Sequence, residues 1–338
     1  MQGRIAGCIL MALIELSAVM GSVDHARVAH AASEPTAQKV TVAPGVQLEV
    51  LDWGGPKAAQ PLVFLAGLGD TAHVYDAFAP RFTAKYHVYG ITRRGFGASS
   101  KPDPTDANYS ADRLGKDVIA VIDTLHLDRP VLAGHSIAGE ELSWIGTHDP
   151  HKVAGLIYLD ADWGPAFYDA ARGDSWLDML EVRRRLEALR AGAVYDTAYR
   201  EGLTAATDRL GRDLHTDTAR VAALPNMPPP PPPPPIPLAT LFGEEKFTGF
   251  HVAAMDIVAC PHDMTPAFVG ALAHDKAAQD ALTTGDLKRC MDQSSAFGQA
   301  MPWVPVVRIA HANHHLFVSN PDQVERAMND FLAKLPAQ

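Results

Sequence analysis

Four short, almost uninterrupted apolar runs recur between residues 61 and 160: Leu62-Val63-Phe64-Leu65, His87-Val88-Tyr89-Gly90-Ile91, Pro130-Val131-Leu132-Ala133 and Gly155-Leu156-Ile157-Tyr158-Leu159. Runs this short, with no polar alternation, predict strands buried on both faces. Helical periodicity separates them. From Ala111 to Leu125, for instance, Leu114, Val118, Val121, Ile122 and Leu125 fall on one stripe. Upstream, Val40-Thr41-Val42 and Val46, Leu48 and Val50 alternate around Pro44-Gly45, the pattern of an antiparallel hairpin. The strand texture returns at Val252 to Cys260 and at Val304 to Ile309, and a final amphipathic helix runs from Pro321 through Leu335. Buried strands alternating with amphipathic helices predict an α/β fold, a mostly parallel central sheet covered by helices on both faces.

The alternation breaks after Asp162. Asp174 to Arg190 has helical spacing, and Pro228 to Pro235 is a run of eight prolines. Such a run predicts an extended polyproline II rod of roughly 25 Å. Residues 163–250 therefore read as a helical, proline-rich lid inserted into a core made of residues 32–162 and 251–338. At the other end, Arg4 precedes a mostly apolar stretch from Ile5 to Met20, and Ala29-His30-Ala31 supplies a small-residue cleavage site. Residues 1–31 read as a signal peptide, which places the mature chain in the periplasm or medium. The apolar stretch is too short for a stable membrane span. In an oxidising compartment the two remaining cysteines, Cys260 and Cys290, either pair or stay as buried thiols.

Charge narrows the partners. The formal net charge of −10 argues against nucleic acid and anionic membrane surfaces. Arg183-Arg184-Arg185 lies within a charged helical pattern and reads as a solvated face.

The chemistry concentrates at Gly134-His135-Ser136-Ile137-Ala138-Gly139, where an apolar run meets the start of a helical pattern. This is the layout of a nucleophile elbow, a tight strand-to-helix turn that needs small residues around its serine. Three further segments join it. Leu65-Ala66-Gly67-Leu68-Gly69-Asp70 resembles the oxyanion loop of the α/β-hydrolase superfamily, with Ala66 where histidine is usual. Arg93-Arg94-Gly95-Phe96-Gly97-Ala98-Ser99 resembles the turn after the family's fourth strand. Ala312-Asn313-His314 resembles its histidine turn. Four such segments in order make residues 40 to 335 similar to serine esterase-like members with an inserted lid.

That resemblance implies Ser136 as nucleophile and His314 as general base, with His311 and His315 as competitors for the base. It implies an acid from Asp263, just beyond the penultimate strand, or alternatively from Asp160, at the end of the sixth. Backbone N–H groups of Leu68 and Ile137 would form the oxyanion hole. Neither a cofactor nor a metal is expected.

The expected activity is secreted carboxylic ester hydrolysis through an acyl-enzyme, acting on a small-molecule ester. A cofactor-free haloperoxidase-like enzyme, an amide or carbon–carbon bond hydrolase and a low-turnover ligand-binding member of the fold stand as alternatives. A serine nucleophile separates the chain from the similar epoxide hydrolases and haloalkane dehalogenases, which use aspartate.

Overall fold

A computed structural model of the chain describes residues 34–222 and 232–336. The signal-peptide reading of residues 1–31 and the first half of the proline run, residues 228–231, lie outside the described residues.

Eight strands form one sheet: β1 (Thr36–Ala43), β2 (Val46–Gly54), β3 (Pro61–Leu65), β4 (His87–Thr92), β5 (Val131–His135), β6 (Gly155–Leu159), β7 (Ala254–Ala259) and β8 (Val306–Ile309). Their spatial order is β1-β2-β4-β3-β5-β6-β7-β8. The first two strands form the predicted hairpin, and β2 also pairs antiparallel with β4. From β4 onward all pairings are parallel.

Every residue of β3, β5, β6 and β7 is buried, which explains why these strands read as apolar runs rather than alternating ones. The period of two is still at work. Val63, Leu65, Leu132, Leu156 and Tyr158 face one core, whereas Leu62, Phe64, Val131, Ile157 and Leu159 face a second. Helices α1 (Ala111–Thr124) and α2 (Ala138–His148) cover the first face. Ser110 caps α1 by accepting from the Arg113 amide, and Leu114, Val118, Val121 and Ile122 form its buried stripe. Each such side chain stabilises the fold by roughly 1.5–3 kcal/mol on burial.

Between β6 and β7 lie α3 (Ser175–Arg190), α4 (Thr197–Ala222) and α5 (Pro235–Gly243), all within the segment read from sequence as an insertion. The Trp176 and Phe242 rings meet at a tilt, 5.4 Å apart, in a small separate core with Tyr168, Leu177 and Leu180. Lys246 lies 2.6 Å from both Asp178 and Glu181, tying the segment's end back to α3. The eight-proline rod is corrected at one end, because Pro235 opens α5. A first-turn N–H has no intrahelical partner, so proline fits there without loss.

The long helix α6 (Lys276–Ala300) precedes β8, and α7 (Pro321–Leu332) covers the second face through Val324, Met328, Phe331 and Leu332. Of the two uses open to the cysteines, the structure shows pairing: Cys260 and Cys290 form a disulfide with Cα atoms 5.6 Å apart. It joins the end of β7 to α6 across a sequence separation of 30 residues. Replacing both cysteines by serine should lower unfolding free energy by about 2–4 kcal/mol. Urea denaturation of the variant against the oxidised parent checks this, and an unchanged midpoint would contradict it.

Candidate active site

In this sheet order β5, β6, β7 and β8 are consecutive and parallel, so their C-terminal ends open on one edge. In α/β sheets that edge is where ligands bind. Ser136 follows β5 with φ of +56°, a left-handed conformation costly for any residue with a Cβ. Surroundings force the turn. A Cβ on Gly139 would lie 2.1 Å from the carbonyl oxygen of Ala161, so only glycine lets α2 start this close to the chain after β6. Ala138 is fully buried, its methyl accommodated where the pattern usually has glycine.

His314 lies in the turn after β8. Its Nδ1 is 2.6 Å from Oδ2 of Asp160, which follows β6 and is itself left-handed at φ of +51°. The His135 ring, adjacent in sequence to Ser136, lies 4.5 Å from the His314 ring and hydrogen-bonds its carbonyl oxygen through Nε2 at 3.1 Å. Trp163 meets the His314 ring edge-on at 5.6 Å and donates its indole N–H to the Asp160 carbonyl. Burial holds the His314 pKa below its ordinary value, against the pull of its Asp160 hydrogen bond.

Asp263, the acid preferred from sequence, does not meet His314. The chain is still extended there: His262 bridges to Ala312, and the Asp263 amide donates to the Ala312 carbonyl. Successive side chains on extended backbone point opposite ways. His262 points to Asp160, and the Asp263 carboxylate instead accepts from the Thr265 amide at 3.0 Å. His315 similarly departs from His314, reaching Asp70 at 2.9 Å, and His311 is exposed.

Sequence reading missed His262 and its second partner. His262 Nε2 lies 2.8 Å from Asp160 Oδ2 and its Nδ1 lies 3.0 Å from Asp286 Oδ1, while its amide donates to the same Asp286 carboxylate. Asp160 Oδ2 therefore serves two imidazoles, and Oδ1 accepts from the Ala259 amide at 3.0 Å. The spacing held a signal. His262 follows Cys260 by two residues and Asp286 precedes Cys290 by four, so the disulfide brings the pair together.

Both His262 nitrogens face carboxylates. Burial works against charging the ring, but Asp160 and Asp286 outweigh it and push the pKa up to about 10. The same partner works on Asp160: burial would raise its pKa, and the charge and hydrogen bonds of His262 and His314 hold it below the usual carboxylate range. Arg289 stands 2.9 Å from Asp286 and balances its charge. The folded state binds the His262 proton above pH 6.5, its ordinary value, so this contribution to stability is complete below pH 6.5 and lost as pH rises through about 10. Thermal melts across that window should fall more steeply for the parent than for His262→Gln. Equal slopes would show that His262 is not held charged.

The loop after β3 is anchored without the usual histidine. Arg93 pairs with Glu141 of α2 at 2.6 Å and donates to the carbonyls of Ala66 and Gly67 at 3.1 and 3.2 Å. That buried pair ties the Leu68 loop to the helix beginning just after Ser136. Leu68 and Ile137 are both nearly buried, and their amides bond no acceptor among the described residues.

Residues 62–327 match the alpha/beta hydrolase family. The chain belongs to that family. Among its relatives, 3-oxoadipate enol-lactonase 2 of Acinetobacter baylyi is 34% identical over 96 residues, 28% of this chain and 35% of that protein. A non-heme chloroperoxidase of Burkholderia pyrrocinia is 35% identical over 126 residues, 36% of this chain and 44% of that protein. The matches thus span less than half the length of these relatives. A hydrolase from Pseudomonas aeruginosa superposes with a TM-score of 0.56 at 18% identity, covering 88% of this chain and 98% of that one. E-2-(acetamidomethylene)succinate hydrolase gives 0.54 at 18% identity, covering 88% and 99%. Alpha/beta hydrolases of such distant sequence share the fold with this chain, and the matched family places it in the alpha/beta hydrolase superfamily.

Proposed function

We propose that the chain is a serine hydrolase of carboxylic esters working through an acyl-enzyme. The observation that carries this reading is the buried 2.6 Å contact between His314 Nδ1 and Asp160, one ring away from the strained turn that presents Ser136. With Nδ1 donating to the carboxylate, the Nε2 lone pair is the basic position of His314. It takes the Ser136 hydroxyl proton as the oxygen attacks an ester carbonyl. Asp160 holds the tautomer and offsets the imidazolium charge. The Leu68 and Ile137 N–H groups donate to the tetrahedral oxyanion. His314 then protonates the leaving alcohol, and water repeats the sequence to release the acid and free Ser136.

Residues 163–250 act in this reading as a lid whose Trp163 borders the acyl or alcohol site. In this reading the enzyme works outside the cytoplasm, which the disulfide and the leader-like composition of residues 1–31 support. The similarity to the chloroperoxidase favours one second reading, in which hydrogen peroxide replaces water and the acyl-enzyme yields a peracid.

The test is labelling of folded protein by a fluorophosphonate, with peptide mapping of the adduct, beside a chain-length series of chromogenic esters. Stoichiometric labelling at Ser136 and turnover of short esters are expected. Failure to label would reject the serine mechanism. Peroxide-dependent halogenation outrunning hydrolysis would favour the second reading.

A further inference from the structure

Beside the elbow, three side chains from separate parts of the chain converge on His135. Asp70 comes from the loop after β3, His135 ends β5 and His315 lies in the turn after β8. Asp70 Oδ2 and one ring nitrogen from each histidine all lie within 4.8 Å of one another. His315 Nε2 is 2.9 Å from Asp70 Oδ2, and His135 Nδ1 is 3.8 Å from the same oxygen.

The arrangement around His135 is electrostatically incomplete. Its Nε2 lies 3.1 Å from the His314 carbonyl oxygen, and a carbonyl only accepts, so Nε2 carries the hydrogen. Nδ1 of the neutral ring is then a lone pair. It is buried, has no hydrogen-bond partner, and faces a carboxylate oxygen. An unsatisfied lone pair on a ring only 1% exposed, 3.8 Å from a carboxylate oxygen, calls for a positive centre beside it.

A Cβ at residue 67 would lie 2.7 Å from His135 Nδ1 and 3.2 Å from Asp70 Oδ2, so glycine at 67 keeps that side of the pair clear of a side chain. Metal-ligating histidines commonly donate their other N–H to a carbonyl or carboxylate, as His135 does here. The neighbouring cluster of Asp160, His262 and His314 differs, because both of its contacts to Asp160 are hydrogen bonds of 2.6 and 2.8 Å.

We propose that Asp70, His135 and His315 form a binding site for one divalent transition-metal cation of the zinc class. Two imidazoles and one carboxylate suit Zn²⁺ and its neighbours rather than Mg²⁺ or Ca²⁺. Ligand bonds of about 2.0–2.2 Å to a tetrahedral ion place ligand atoms about 3.3–3.6 Å apart. The observed 2.9 and 3.8 Å bracket that separation, so small side-chain shifts close the site. The ion would tie the loop after β3 to the elbow and the histidine turn, and a fourth position remains for water.

The experiment uses the untagged chain, stripped with a chelator and dialysed, then titrated with zinc chloride by calorimetry and with cobalt chloride by visible absorption. One equivalent should bind, with cobalt d–d bands and a rise in melting temperature on adding zinc. Asp70→Asn and His315→Gln should each weaken zinc binding by at least about 10-fold and abolish the thermal shift. His262→Gln, in the neighbouring cluster, should bind zinc as the parent does. Circular dichroism of each stripped variant separates lost binding from lost folding, and the two ligand variants lie on different segments. Absence of saturable zinc binding overturns the proposal. So does binding that survives Asp70→Asn and His315→Gln, or that is lost in His262→Gln alone.

Discussion

Ser136→Ala should reduce ester turnover by at least about four orders of magnitude while the variant folds and binds substrate as the parent does. The covalent step requires an oxygen at this position, and alanine supplies none. The backbone does not depend on the hydroxyl. The left-handed turn is imposed by Gly139 packing on Ala161 and by the Ser136 amide donating to the Leu159 carbonyl at 3.2 Å. Alanine keeps both, so an unchanged urea midpoint is expected alongside lost activity. Steady-state rates on a chromogenic ester, read after exhaustive removal of contaminating esterase, measure the loss. A variant that retains a tenth of the parent rate would place the nucleophile elsewhere and leave the elbow as a structural turn.

The sheet was legible because its central strands are buried on both faces and are therefore written as apolar runs. β3, β5, β6 and β7 lie where those runs lie. Ends were less legible: β8 begins at Val306 rather than Val304, and α7 stops at Leu332 rather than Leu335. At the candidate site, the elbow was visible because its steric requirement selects residue types locally. Gly134, Ala138 and Gly139 announce it whatever the rest of the chain does. The acid was not, since Asp160 and Asp263 both close apolar strands and differ only in side-chain direction. That direction depends on two facts absent from any local pattern: the left-handed φ at Asp160, and the extended pairing of His262 with Ala312 that turns Asp263 outward. His262 and Asp286 were hidden for a related reason. Their meeting depends on the packing of α6 against β7, which the disulfide records in space, while neither residue belongs to a recognisable motif.

Asp160→Asn is the substitution that separates the two acids, and its expected cost is about 10³–10⁴ in kcat with little change in KM. The reason lies in the hydrogen-bond arithmetic around the carboxylate. Oδ2 accepts from His314 and His262, and Oδ1 accepts from the Ala259 amide. Every partner is a donor, so asparagine must turn its NH₂ toward one of them. If the amide oxygen faces Ala259, the NH₂ meets His314 Nδ1, which must give up its hydrogen and become an acceptor. The proton then sits on Nε2, the nitrogen the mechanism needs as a base. If the oxygen faces the histidines, the NH₂ opposes the Ala259 N–H, and His262 still loses the negative charge that holds its proton. Stability should fall by several kcal/mol in either case, since one partner of a buried charged pair has been removed. Turnover is therefore to be measured well below the variant's melting temperature, with circular dichroism confirming the fold. Asp263→Asn provides the comparison: among the described residues its carboxylate caps only the Thr265 amide, and an asparagine oxygen accepts that bond equally well. If Asp263→Asn is the crippled enzyme and Asp160→Asn turns over normally, His314 takes its orientation from the loop after β7, and the 2.6 Å contact with Asp160 serves folding alone.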